Sequence, residues 1–332
     1  MKKRPLVILT GPTAVGKTKL SISLAKAIGG EIISADSMQV YKQMNIGSAK
    51  IRPEEMEGVP HFLVDALEPD EEFHVVRFQE MARQAMDEIY RRGKIPILVG
   101  GTGFYIQAIL YDIDFTQHGE DPAYRRDLET LAKEKGAGYL HEMLRRVDPR
   151  SAEEIHARNV KRVIRALEYF QQTGKPISAH NAEQRQKESP YCFAYFVLLE
   201  ERQRLYERIN QRVDQMMEEG LLQEVCRLKE QGYTRDMVSM QGLGYKELLD
   251  YLEGGSTLEE AVSVIKRDTR HFAKRQVTWF KRERDVLWIE KAAYDYDEKR
   301  ILLYMRKELE ERKIICSCSH PAGADRNSRP PT

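Results

Sequence analysis

The sequence predicts an α/β protein built on a parallel sheet, with an all-helical segment inserted into it. Three observations predict this. The apolar run at residues 6–9 feeds directly into Gly11-Pro12-Thr13-Ala14-Val15-Gly16-Lys17-Thr18, a glycine-rich spacing that joins a strand to a helix around a polyphosphate. Short β-rich runs then alternate with helical periodicity, the pattern of right-handed strand–helix–strand crossovers. Between residues 115 and 190 the strands stop and helical patterns take over.

The elements follow in order. Residues 5–9 read as a strand, followed by the phosphate loop and an amphipathic helix to about residue 28. Residues 31–34 give a second strand and 61–64 a weaker third. Phe78, Met81, Ala85, Met86 and Ile89 mark one face of a helix that ends at Arg91-Arg92-Gly93, with cations and a glycine at its C-terminus. Residues 95–99 form a fourth strand, closed by Gly100-Gly101-Thr102-Gly103. In the helical segment, Ser151-Ala152-Glu153-Glu154 reads as a capping-box start. Val160, Val163, Ile164, Leu167 and Phe170 form an apolar stripe ending at Gly174, and residues 176–190 read as a polar loop. A strongly apolar strand returns at 193–199, after which the chain is mostly helical, with Leu205, Ile209, Val213 and Met216 facing inward on a long helix. The domain reading is a phosphate-loop (P-loop) NTPase-like core of residues 1–114 and 191–315 with C-terminal helices, a helical insert at 115–190, and a disordered tail at 316–332 rich in Ser, Pro, Gly and Arg.

Composition narrows the class. With 41% hydrophobic and 32% charged residues the chain suits a soluble globular protein, and a net charge of +1 confines any polyanion-binding surface to local patches. There is no early apolar signal region and no apolar run of about 18 residues, so a cytoplasmic protein is expected, neither secreted nor membrane-bound. Cys192, Cys226, Cys316 and Cys318 form no C-x-x-C pair and no disulfide framework. Cys316, Cys318 and His320 are too crowded for a metal tract. His61, His74, His118, His141, His156, His180 and His271 show no ligand spacing and read as core or surface residues.

The phosphate loop carries the first chemistry. Glycines at 11 and 16 let successive backbone N–H groups converge on phosphate oxygens, and the following helix adds the positive end of its dipole. Lys17 supplies a point charge, and the Thr18 hydroxyl is a hard oxygen suited to Mg²⁺. The motif leaves open which polyphosphate is held and whether a phosphate is transferred. Asp36 follows the second strand, so it points to the crevice at the carboxyl ends of the strands. It can accept a proton or hold Mg²⁺ through water, or it can simply close an Asx turn. Gly100 to Gly103 means either a close backbone approach, with Thr102 facing the crevice, or a plain flexible turn. Residues 266–284 hold eight Lys/Arg against two acids, a local charge of +6, with Phe272, Trp279 and Phe280 interleaved. That is the footprint of an RNA site or of a solvated helix face. Arg158, Lys161, Arg162 and Arg165 make a second basic run. Arg204, Arg208 and Arg212 share a helix face, where pairing with surface carboxylates is the favoured reading and a phosphate contact the alternative.

Four segments together resemble the bacterial tRNA dimethylallyltransferase family, also called tRNA isopentenyltransferases. They are residues 11–18, residues 34–50 with Asp36-Ser37 and Ile46-Gly47-Ser48-Ala49-Lys50, Val99-Gly100-Gly101-Thr102-Gly103, and Thr269-Arg270 through Ala273-Lys274-Arg275-Gln276 to Thr278-Trp279. Gln241 to Lys246 and Arg162 to Glu168 also fit, and the match runs from about residue 4 to 290. The tail has no counterpart, and the zinc-finger extension of eukaryotic relatives is not seen. The resemblance implies transfer of a dimethylallyl group from dimethylallyl diphosphate to N6 of adenosine 37 in the tRNA anticodon stem-loop, by a monomer using Mg²⁺. It implies that residues 11–18 hold the diphosphate rather than a nucleotide to be hydrolysed. Asp36 then accepts the N6 proton, Thr18 with Lys17 holds Mg²⁺ and diphosphate, and Arg212 touches the diphosphate. Thr102 and Arg125 contact tRNA or the target base. Asp36, Ser37, Met38 and Gln39, together with Lys161, Arg162, Val163, Ile164 and Arg165, become tRNA-binding segments, joined by Lys274 and Arg275. Two rivals remain: an ATP-using small-molecule kinase with the same loop, and a nucleotide-switched RNA-binding protein.

Overall fold

Six strands in the order β3-β2-β4-β1-β5-β6 form one parallel sheet in the computed structural model, which describes residues 3–115 and 122–316. The strands are β1 (Arg4–Thr10), β2 (Gly30–Ala35), β3 (His61–Phe62), β4 (Ile95–Gly100), β5 (Tyr191–Leu199) and β6 (Val286–Glu290). Central strands of such a sheet are covered on both faces, so they read as continuous apolar runs rather than alternating ones. Leu6 to Leu9 of β1 and Ala194 to Leu198 of β5 are fully buried for this reason. Each such Leu, Ile, Val or Phe contributes on the order of 1.5–3 kcal/mol by leaving water.

Register fixes where the loops emerge. Thr10 pairs with Gly100, and Gly100 also pairs with Ala35. The carboxyl ends of β1, β4 and β2 therefore lie side by side at one level. The segments that leave them, starting at Gly11, Gly101 and Asp36, open onto the same edge of the sheet. The Thr10 hydroxyl donates to the Gly100 carbonyl at 2.7 Å and ties two of these ends together.

Helices α1 (Lys17–Ile28), α2 (Val75–Arg91) and α3 (Gly103–Leu110) follow β1, β3 and β4. The chain divides into two compact units, Met1–Ile109 with Pro190–Thr332, and Leu110–Ser189. The second is all-helical: α4 (Pro122–Lys135), α5 (Ala137–Val147), α6 (Pro149–Glu154), α7 (Val160–Thr173) and α8 (Ile177–Gln186). Its own core is built from Leu128, Leu140, Leu144, Val163, Ile164 and Leu167. In the first unit, β5 leads to α9 (Arg202–Glu218), α10 (Leu221–Glu230), α11 (Tyr245–Leu252) and α12 (Leu258–Phe280), and β6 to α13 (Glu298–Glu311). Leu205 and Ile209 of α9, Ala273 of α12 and Met305 of α13 join the strand residues in one core.

Three local readings need correction. Residues 176–190 contain helix α8 rather than a loop. It has no strong apolar stripe because it is tied down by polar contacts: Asp148 accepts from the Ser178 N–H at 3.0 Å and its hydroxyl at 2.6 Å. The cap of α6 is Asp148, whose Oδ1 accepts from the Ser151 N–H at 3.0 Å, so the helix starts at Pro149 and not at a Ser151 box. Strand β6 was hidden in a stretch read as helical. It is a short edge strand whose apolar run, Val286 to Ile289, is only partly buried, with Trp288 and Glu290 exposed. His118, Cys318, His320 and the tail from residue 317 lie outside the described residues.

Candidate active site

The phosphate loop takes the strand-to-helix turn that its glycines permit. Gly11 has φ +148°, and a Cβ there would sit 2.6 Å from the Leu198 carbonyl oxygen, so no other residue fits. Gly16, at φ +98°, opens α1. Lys17 folds back across the loop, its Nζ donating to the carbonyls of Gly11 and Pro12, each at 2.9 Å. Thr13, Ala14, Gly16, Lys17 and Thr18 line a cavity of about 910 Å³, while Gly11, Pro12 and Val15 are buried behind them.

Three charged groups meet in this cavity. Burial pushes the Lys17 ammonium down to about 8, opposed by the nearby Asp36 carboxylate and reinforced by Arg212. Burial likewise lowers Arg212, against the pull of Asp36. Asp36 itself does close an Asx turn: its Oδ1 accepts from the N–H groups of Met38 at 2.8 Å and Gln39 at 3.3 Å. Its Oδ2 makes no hydrogen bond among the described residues. One oxygen closes the Asx turn and the other has no hydrogen bond among the described residues, so the turn does not by itself use up the carboxylate. Ser37, Met38 and Gln39 line the cavity beside it.

The glycine cluster after β4 is a close approach rather than a flexible turn. A Cβ on Gly101 would lie 2.2 Å from Gln276 Nε2, and one on Gly103 2.2 Å from Trp279 Cδ1. The Thr102 N–H donates to the Ala35 carbonyl at 3.3 Å, and Thr102 lines the cavity. The arginine face of α9 divides its labour. Arg204 stacks 3.7 Å over the Tyr296 ring, Arg208 Nε donates to the Ala14 carbonyl at 3.0 Å, and Arg212 enters the cavity. Apolar side chains also line the cavity, Phe73, Tyr105, Met216, Leu221 and Phe272 among them.

On α12, Arg275 reaches the cavity, and with His271, Lys274, Thr278, Trp279 and Arg282 it also lines a neighbouring surface hollow of about 440 Å³. In the helical unit, Lys161, Arg162 and Arg165 stand exposed on α7. Val163 and Ile164, predicted in the same tRNA-binding segment, are instead buried in that unit's core, where the helical period puts them, so their side chains offer RNA nothing. Arg125 is engaged by Glu168 through two bonds, Nε to Oε1 at 2.8 Å and an η nitrogen to Oε2 at 3.0 Å.

Several residues that shape the site carry no sequence signal of doing so. Gln276 accepts from the Thr13 N–H at 2.9 Å and donates to the Gly101 carbonyl at 3.0 Å. Lys291 donates to the Val15 carbonyl at 3.1 Å. The buried Glu224 carboxylate of α10 accepts from the N–H groups of Asn45, Ile46 and Gly47 at 2.9–3.2 Å and from the Tyr245 hydroxyl at 2.7 Å. It thereby holds the cavity wall at Gly47, Ser48 and Ala49. Gln276 stands in a segment that carries the family resemblance, and the glycine at 101 implies something close by, but neither signal says that the two meet.

The donor set fits Mg²⁺. The Thr18 hydroxyl is a hard oxygen lining the cavity. No group of three His, Cys, Asp or Glu side chains suits a metal among the described residues, so such an ion would complete its shell with ligand oxygens and water, as Mg²⁺ prefers.

Comparison with known proteins agrees with this geometry. A family model described as IPP transferase matches residues 39–283, and one described as isopentenyl transferase matches residues 5–69. A tRNA dimethylallyltransferase of Lachnoclostridium phytofermentans is 64% identical over 312 residues, covering 94% of this chain and 99% of the relative. That of Acetivibrio thermocellus is 52% identical over 294 residues, covering 89% and 94%. The crystal structure of full-length tRNA isopentenylpyrophosphate transferase from Bacillus halodurans has a TM-score of 0.70 at 45% identity, covering 94% of this chain and 98% of that one. A eukaryotic dimethylallyltransferase acting on tRNA has a TM-score of 0.80 at 30% identity, covering 93% and 80%. The match takes in both the phosphate loop and the basic helix, and it extends nearly end to end: this chain belongs to the tRNA dimethylallyltransferase family.

Proposed function

We propose that this enzyme transfers a dimethylallyl group from dimethylallyl diphosphate to N6 of adenosine 37 in tRNA, beside the anticodon, and releases diphosphate. One observation carries the reading: Lys17, Arg212 and the unbonded Oδ2 of Asp36 face one cavity that apolar side chains also line. The cations suit a diphosphate, the apolar side chains suit a five-carbon isoprenoid, and the carboxylate suits a nucleophile that must lose a proton.

In the step, N6 attacks the allylic carbon, the carbon–oxygen bond to diphosphate breaks with its electron pair, and the N6 proton passes to Asp36. An exocyclic adenine amine is a weak nucleophile because its lone pair is delocalised. A carboxylate taking its proton as the bond forms contributes roughly 10²–10⁴-fold. Lys17, Arg212 and the loop amides stabilise the charge developing on the leaving group. Mg²⁺, held by Thr18 and diphosphate oxygens, would supply further neutralisation of that charge. The base must leave its stack to reach the cavity, and recognition of a loop by splayed bases is the usual mode for single-stranded RNA. Thr102, Ser37, Met38 and Gln39 are placed to meet that base. Lys274 and Arg275, with Lys161, Arg162, Arg165 and Arg125 of the helical insert, supply phosphate contacts. No helix among the described residues is long and apolar enough to cross a membrane, consistent with work on tRNA in the cytoplasm.

The test is direct. The protein is incubated with Mg²⁺, labelled dimethylallyl diphosphate and a tRNA carrying adenosine at position 37. Label is expected in the RNA. ATP turnover without label transfer would instead make the chain a kinase, and RNA binding with neither reaction would make it a switch.

A further inference from the structure

Three consecutive residues of the phosphate loop are each gripped from outside by a side chain of a different element. Gln276 of α12 accepts from the Thr13 N–H at 2.9 Å, Arg208 of α9 donates to the Ala14 carbonyl at 3.0 Å, and Lys291, just past β6, donates to the Val15 carbonyl at 3.1 Å. The loop needs such support. Ala14 sits at φ +63°, a left-handed conformation that an L-residue with a Cβ adopts only when its surroundings hold it there. Lys291 is in turn oriented by the fully buried Glu200 carboxylate, 3.4 Å away.

Among the three, Gln276 differs in kind. It is 7% exposed, and its two bonds run in opposite senses, accepting from the loop at Thr13 and donating to the Gly101 carbonyl at 3.0 Å. A side-chain amide can meet an N–H and a C=O at once in this way, and the two partners fix which end is oxygen. The absent Cβ at Gly101 leaves the space that the amide nitrogen occupies. The bond thus joins the segment after β1 to the segment after β4, the latter carrying Thr102. It does so from the helix turn that also bears Lys274 and Arg275.

We infer that Gln276 is a positioning residue for the transfer reaction: its amide locks the diphosphate loop to the Thr102 turn and sets the distance between the donor and the base it alkylates. The inference rests on reading this cavity as the donor site. Gln276→Leu removes both bonds. Gln276→Glu keeps the acceptor for Thr13 but, as a carboxylate, cannot donate to Gly101 and adds an anion near the diphosphate.

Affinities for dimethylallyl diphosphate and for inorganic diphosphate, each with Mg²⁺, are measured by calorimetry at pH 5.5 and pH 8, as ratios to wild type at the same pH. Michaelis constants for tRNA and single-turnover rates at saturating donor and tRNA are measured alongside. For Gln276→Glu a loss of about tenfold or more is expected at pH 8, and it persists at pH 5.5, where an ordinary glutamate (about 4.3) is still ionised. For Gln276→Leu the loss is equal at both pH values, and the tRNA constant stays within about twofold of wild type. Ratios near one for both variants, or losses of affinity with no fall in the single-turnover rate at saturating donor and tRNA, would overturn the inference. Wild-type protein that binds inorganic diphosphate but transfers no prenyl group would sink the functional reading alone, leaving the loop measurement to stand or fall by itself.

Discussion

On the proposed reading the two carboxylate oxygens of Asp36 have separate tasks, and two substitutions separate them. Asp36→Asn keeps an oxygen to accept from Met38 and Gln39 but loses the proton acceptor. Turnover is expected to fall by about 10²–10⁴-fold while donor affinity stays within about threefold. Asp36→Ala also loses the turn. Single-turnover kinetics with separately measured donor binding checks this, and a large loss of donor affinity in Asp36→Asn would make the residue a metal or diphosphate ligand instead. Lys17 gives a pH prediction. Burial lowers its ammonium to about 8, so in the free enzyme the charge that attracts diphosphate is lost as pH rises through that value. Donor affinity should weaken above pH 8, and a calorimetric titration from pH 7 to 9.5 reads it. The sign for stability is opposite. The folded pKa lies below the ordinary 10.5, so this group makes the fold more stable as pH rises from about 8 toward 10.5.

The elements differ in how openly the sequence declares them. Strands β1, β2, β4 and β5 are legible because burial on both faces demands unbroken apolar runs. Strand β6 is not, although Val286 to Ile289 is also an apolar run: standing among helical segments, a run of four does not by itself separate an edge strand from a buried helix turn. Helix α8 is not, because Asp148 holds it through polar bonds formed 30 residues away. The same division applies to the site. The phosphate loop and the glycines after β4 are local motifs and were legible. Gln276, Lys291 and Glu224 act on segments 263, 276 and about 180 residues distant, a relation that linear order does not encode. Just past the end of α12, Glu283 offers an element-scale test. Burial pushes its carboxyl up to about 7, partly offset by the Gln107 amide, which donates at 3.0 Å. The folded form therefore retains a proton that the unfolded chain releases near 4.5, and the stability this gives is lost as pH rises from about 4.5 through 7. The difference in melting temperature between wild type and Glu283→Gln should change across pH 5 to 8. A constant difference would contradict the assignment.

For the whole molecule, a net charge of +1 hides strong segregation of sign. Cations gather on α12 and on the exposed face of α7, so attraction to a polyanion is a property of patches. Binding of tRNA should weaken with salt, and replacing Lys161, Arg162 and Arg165 with Ala should reduce the slope of log K against log salt by roughly two to three, if each meets one phosphate. Filter binding across a salt series measures it, and an unchanged slope would remove α7 from the RNA surface. The supports of the phosphate loop carry a consequence for biosynthesis. A ribosome making this chain releases the diphosphate cradle first and its braces last: Arg208 is 194 residues behind Ala14, and Lys291 is 276 behind Val15. The nascent protein thus cannot complete its cradle until the segment bearing Lys291 has emerged, and a truncated product would carry the motif without the means to hold it in shape.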